Sequence, residues 1–206
     1  VVQVQVQARP EALVKQTAPV SVQVAEAARL PPLPAKGAYT FDALGKPIRI
    51  TLNSGAENGL SLLHEVGHFI DHKGLGKAGG FCSTDPGGAL KEWRSAVEAS
   101  EAFAALQLVL RARSIEVELK PGQKARIAVN HPYVKYLLDW RELFARSYEQ
   151  YVVTRCPNEE LKRAFAKDRA EVMPWYHPQW ADDDFEPIAQ AFDRLMEALG
   201  WRSTGK

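Results

Sequence analysis

Residues 61–72 read Ser-Leu-Leu-His-Glu-Val-Gly-His-Phe-Ile-Asp-His, and no other stretch so narrows what this chain can fold into. His64 and His68 are four residues apart, which on an α-helix puts both imidazoles on one face, a turn from each other. Glu65 is rotated by about 100° from His64 and lies beside that face. Leu62, Leu63, Val66, Phe69 and Ile70 fall on the opposite side, so the helix has an apolar flank to bury and a polar flank to keep open. The chain must build a core against one side of this helix without covering the other. Two imidazoles on a rigid turn can offer nitrogens to a single metal ion. A carboxylate beside them can take a proton from a water on that ion.

A catalytic zinc of this kind needs a third protein ligand and an open fourth position. His72 is poorly placed to serve. It is eight residues from His64, about 12 Å along the helix, and one ion with bonds of about 2 Å cannot reach both while also binding His68. Position 74 is Gly, and no further histidine occurs before His131, so the ligand is expected from another helix. The stretch Tyr136–Val152 offers Glu142 and Glu149, seven apart and on one face with Leu138, Ala145 and Val152. Glu142 sits beside Leu138, Leu143 and Phe144, and a carboxylate partly buried there requires a cation. Spacing alone favours the plainer reading, a surface pair between Glu142 and Arg146 at i, i+4.

The rest of the chain supplies the frame. Its 206 residues, 46% hydrophobic and 25% charged, suffice for one domain with a buried core, with or without a tail. Lys and Arg number 26 against 25 Asp and Glu, a net charge of +1, which argues against a nucleic-acid surface or a polybasic membrane patch. No apolar run approaches the roughly 20 residues of a membrane helix. Cys82 and Cys156 can form at most one bridge, so the fold stands on packing.

Residues 1–38 read as an N-terminal arm or linker. Val1–Gln7 and Val20–Val24 alternate like strands before Leu30-Pro31-Pro32-Leu33-Pro34 interrupts them, and the arm either pairs with the domain's sheet or frays from a preceding domain. Residues 39–206 read as the domain proper. A strand is expected over Pro47–Leu52, at a sheet edge where an extended peptide could pair with it. Helices are expected over about 57–72, 90–113, 158–167 and 184–199, with a glycine-rich loop from Gly74 to Gly88. Residues 115–129 fit a hairpin or a helix tail. Asn130-His131-Pro132 caps a helix expected to run to about Thr154. The aromatic stretch around His177 is expected to wall a groove or lid the core, and Asp182–Asp184 to cap a helix. The resulting fold class is α+β: a small sheet including Ile48–Leu52 packed on the 61–72 helix, followed by a mainly helical C-terminal half.

His-Glu-Val-Gly-His-Phe-Ile-Asp (64–71) followed by Glu-Leu-Phe-Ala-Arg-Ser-Tyr-Glu (142–149) resembles the zincin metallopeptidases typified by the anthrax lethal factor catalytic domain. It is also similar to Pro-Pro endopeptidases and to metallopeptidase-like domains of phage and plasmid polyproteins. The resemblance spans roughly Ile48 to Val153 and rests on these two short motifs. It implies a zincin-like fold and a zinc ion held by His64, His68 and Glu142. It implies Glu65 as the general base and Asp71 as a group that orients a ligand from behind. It further implies Tyr136 as the oxyanion donor, with Tyr133 in reserve. Arg146 departs from the pattern, standing where the lethal factor has an acid. The implied activity is zinc-dependent endopeptidase cleavage of a protein or peptide substrate, by a zinc-bound water that Glu65 activates. The implied setting is a monomer without nucleic-acid or membrane partners, secreted or part of a phage or effector polyprotein. The alternative is a non-catalytic structural or interaction module of such a polyprotein, with a structural or degenerate zinc site. An open coordination position beside Glu65 separates the two.

Overall fold

The computed structural model describes residues 21–25, 37–53, 58–75, 80–120, 123–171 and 179–201. The strand expected at Val1–Gln7, the Pro31–Pro34 interruption and the loop around His177 lie outside the described residues. Pro47–Asn53 forms β3, the middle strand of a three-stranded sheet between β1 (Ser21–Ala25) and β2 (Gly37–Phe41). β3 runs parallel to β1, with Ser21 opposite Arg49, and antiparallel to β2, with Tyr39 opposite Ile50. This overturns the expectation of an edge strand at Ile48–Leu52, because both of its sides are taken up by neighbours. The β2–β3 turn is closed by Asp42, whose Oδ1 accepts from the amides of Leu44 and Lys46, while Gly45 takes the left-handed φ of 73° that the turn needs.

α1 (Asn58–Phe69) packs on β2 and β3 and ends in a widened π-helical turn over Ile70–Gly74. The helix expected over 57–72 is therefore present, with a looser last turn. The remaining helices are α2 (Lys91–Ala99), α3 (Glu101–Arg111), α4 (His131–Leu137), α5 (Trp140–Arg155), α6 (Glu159–Glu171) and α7 (Asp182–Ala198). Residues 115–129 resolve as a hairpin, β4 (Ser114–Lys120) with β5 (Gln123–Ala128), Ile115 facing Ile127. The architecture is α+β. Trp93, Val97, Leu143, Phe144, Phe185, Ile188 and Phe192 join α2, α5 and α7 in one core that extends to Val66, Ile50 and Leu52 beneath the sheet. Each such side chain contributes about 1.5–3 kcal/mol by leaving water. Among the described residues no helix is long and apolar enough to cross a membrane.

Two stretches expected as continuous helices are each split. The first breaks at Ser100, which is extended and ties both ends. Its hydroxyl donates to the Val97 carbonyl at 2.7 Å and accepts from the amide of Phe103 and the indole of Trp180. The Asp184 carboxylate accepts from the amides of Glu101 and Ala102, so that residue of the Asp182–Asp184 run caps α3 rather than its own helix. The second break falls at Leu138–Asp139. Asn130 caps α4 as expected, its Oδ1 accepting from the Tyr133 amide, but Asp139 turns extended and caps a new helix by accepting from the Arg141 amide at 2.9 Å. The signal for that break was present: Asp139 followed three residues later by Glu142 is a helix-start pattern inside a stretch of helical period.

Candidate metal centre

α1 and α5 meet at Gly67 and Ala145, where a Cβ on the glycine would stand 2.9 Å from the Ala145 Cα. The missing side chain lets the two backbones approach directly, and His64 and His68 on one helix face Glu142 on the other. His64 Nε2 is 3.3 Å from Glu142 Oε2, and His68 Nε2 is 3.3 Å from Glu142 Oε1. One donor atom from each residue lies within 4.8 Å of the other two, close enough for all three to hold one metal ion. The two imidazole rings stand nearly perpendicular, 4.9 Å apart.

The donor set fits a divalent ion. Glu142 Oε2 is buried and has no hydrogen-bond partner, so its 3.3 Å approach to the imidazole is not aligned as an N–H···O bond. A carboxylate oxygen in that condition is costly unless a cation or a hydrogen-bond donor meets it, and a metal ion is one such group. Two nitrogens and one oxygen suit an ion of borderline softness such as zinc. Burial opposes ionisation of Glu142, but the neighbouring His64 and His68 hold its carboxyl well below the usual range.

Further residues complete the surroundings. Glu65 is buried at the start of β2, where its carboxylate accepts from the Tyr39 amide. A Cβ on Gly37 would come within 3.0 Å of Glu65 Cγ and Oε1. Burial raises the Glu65 carboxyl, against the pull of His64 and His68. Tyr136 is exposed along its ring, and desolvation of its hydroxyl end together with the nearby Glu142 charge pushes the phenol far above its ordinary range. Tyr133 stacks on Tyr136, the rings 6.2 Å apart. Asp71 is fully buried. Its two oxygens accept from the amide and hydroxyl of Ser83 at 2.7 and 2.5 Å, which pins the Phe81–Thr84 segment, and its carboxyl is raised by burial to about 6. His72 points away from the cluster, as its spacing required. It receives Tyr39 at 2.8 Å and stacks on Phe81 at 4.7 Å.

The sequence therefore identified His64, His68 and Glu142, and the structure brings these three together. Three partners were missed or misread. Glu149 appeared only as a neighbour on the Glu142 face; its Oε2 is 3.5 Å from His64 Nδ1, the nitrogen turned away from Glu142. Arg146, expected in a surface pair, is buried, and its guanidinium donates to the Leu137 carbonyl. Gly37 and Tyr39 fell near the boundary of the supposed arm and carried no signal beyond the glycine itself. No known protein family, curated protein or solved structure matches this chain.

Proposed function

We propose that the chain is a zinc-dependent endopeptidase with a zincin-like fold. One observation carries the reading: among the described residues the cluster offers three metal donors and no fourth, the three side chains are only partly buried, and the buried carboxylate of Glu65 stands beside them. A structural zinc site would be closed by a fourth ligand. Zinc bound by His64, His68 and Glu142 would supply Lewis acidity to a water and to the scissile carbonyl.

The chain's own groups do the rest. Glu65 takes a proton from the attacking water and passes it to the departing amine, a task suited to a carboxyl raised by burial. The Tyr39 amide donates to that carboxylate and steadies it. Tyr136 donates its hydroxyl hydrogen to the oxyanion as the carbonyl becomes tetrahedral. Glu149 accepts from His64 Nδ1, which sets the tautomer that presents Nε2 to the ion.

The test pairs two variants with metal analysis on dialysed protein and a peptide-library digest. Glu142→Ala is expected to lose the zinc. Glu65→Gln is expected to keep about one zinc per chain and to lower turnover at least about a hundredfold. Full peptidase activity in zinc-loaded Glu65→Gln would falsify the mechanism.

A further inference from the structure

The break between α4 and α5 is required for the site to exist. In one continuous helix, positions 136 and 142 would lie about 120° apart around the axis and about 9 Å apart along it, on different sides of the helix. The Tyr136 phenol instead comes close enough to Glu142 to feel its charge because α4 stops at Leu137, Leu138 closes its last turn, and the extended Asp139 starts α5 as a separate helix. A helix end leaves carbonyls without intrahelical partners. Here the amide of Leu138 goes to Val134 and that of Asp139 to Tyr136, while the Leu137 carbonyl accepts from the guanidinium of Arg146, two turns into the next helix. Arg146 is buried, its guanidinium 5.6 Å over the Trp180 ring, and it lies on the α5 face between Glu142 and Glu149. A cation at a helix C-terminus is also favoured by the helix dipole.

We infer that Arg146 is a positioning residue: its bond to the Leu137 carbonyl latches α4 onto α5 and so holds the Tyr136 hydroxyl over Glu142. A surface residue of the same spacing would serve only as a salt-bridge partner. Buried and bound to the carbonyl next to Tyr136, Arg146 instead fixes the angle between the helix that carries the phenol and the helix that carries the carboxylate. The consequence for catalysis rests on the peptidase reading; the latch itself does not.

The experiment uses the whole chain labelled with 3-fluorotyrosine, the Tyr136 fluorine resonance being assigned by its disappearance in Tyr136→Phe. It needs neither metal nor substrate, so absent peptidase activity would count against the proposed function and leave the latch to be judged separately. In the wild type the resonance is expected to be displaced from that of the free amino acid. Arg146→Met and Arg146→Gln should each remove most of the displacement. Arg146→Lys, which can still donate one hydrogen bond to the carbonyl, should retain most of it. Circular dichroism establishes that each variant is folded, and one folded member of the Met and Gln pair suffices. A Tyr136 resonance unmoved in that variant overturns the proposal. If neither folds, Arg146 is a general structural residue and the proposal also falls.

Discussion

At Gly37 the sheet and α1 come so close that a single methyl group would touch the Glu65 side chain at 3.0 Å and Leu52 Cδ2 at 3.1 Å. Gly37→Ala therefore forces the carboxylate to give way. Because the atoms met are buried side-chain atoms of Glu65 and Leu52 that must shift by a few tenths of an ångström, the stability cost should be about 1–3 kcal/mol. Turnover should fall at least about tenfold, since a misplaced base loses its alignment with the water. Metal content and turnover measured together check this: unchanged zinc with reduced kcat is the expected pair. His64 gives a second residue-level prediction. In the metal-free protein the Glu142 and Glu149 carboxylates outweigh the penalty of burial and push its imidazole up to about 9. The folded value stands above the ordinary 6.5, so protonated His64 stabilises the metal-free fold fully below that pH, and the contribution is lost as the pH rises through about 9. A metal requires the neutral ring. Loading near pH 7.5 should release about one proton per ion and loading near pH 9.5 markedly less, as read by calorimetry in buffers of differing ionisation enthalpy. The two histidines were legible in the sequence because i, i+4 spacing is a local geometric statement, whereas Glu142 was reached through the resemblance of its segment. Glu149 as the partner of His64 was not legible, because it depends on which nitrogen of the ring faces the other helix.

Between elements, the crossing of α1 and α5 sets the width of the site. Gly67 lies against the Ala145 backbone, and a Cβ there would meet main-chain atoms that cannot rotate away. Gly67→Ala should cost about 1–3 kcal/mol by overpacking and should also weaken metal binding, because it moves the histidines away from Glu142. Urea unfolding and competition with a zinc chelator measure the two effects, and a variant that lost stability but kept its full metal affinity would show that the crossing does not govern the site. The middle strand β3 and most helices were readable from their periods, whereas β2 carried no such signal and residues 115–129 fitted a hairpin and a helix tail equally. The two helix breaks were hidden by a hydrophobic period that carries through residues 90–113 and 131–154: the break at Ser100 is fixed by Trp180 and Asp184 from the far end of the chain, whereas the break at Asp139 is a local cap onto the Arg141 amide whose pattern the period masked. The edge assignment of Ile48–Leu52 failed for a related reason. Alternation in a strand says which face is buried and nothing about how many neighbours it has.

For the whole molecule, an ion held between α1 and α5 ties the sheet-bearing part to the helical part. Anything bound only by the folded state raises its stability, by about 4 kcal/mol at a free concentration a thousandfold above the dissociation constant. Chelation should therefore lower the thermal midpoint of the wild type and leave that of Glu142→Ala nearly unchanged, which scanning calorimetry can read. The α+β class was accessible from the order of strand-like and helix-like stretches; the joining of the helical layer through Trp93, Phe144 and Phe192 was not, since those contacts connect α2, α5 and α7 across long separations. The two halves of the donor set are likewise far apart along the chain, two on α1 and one on α5, with the β4–β5 hairpin and three helices between them. During synthesis the first histidines leave the ribosome well before Glu142 exists. The nascent chain thus carries an incomplete pair of donors until α5 has been made and can dock against α1.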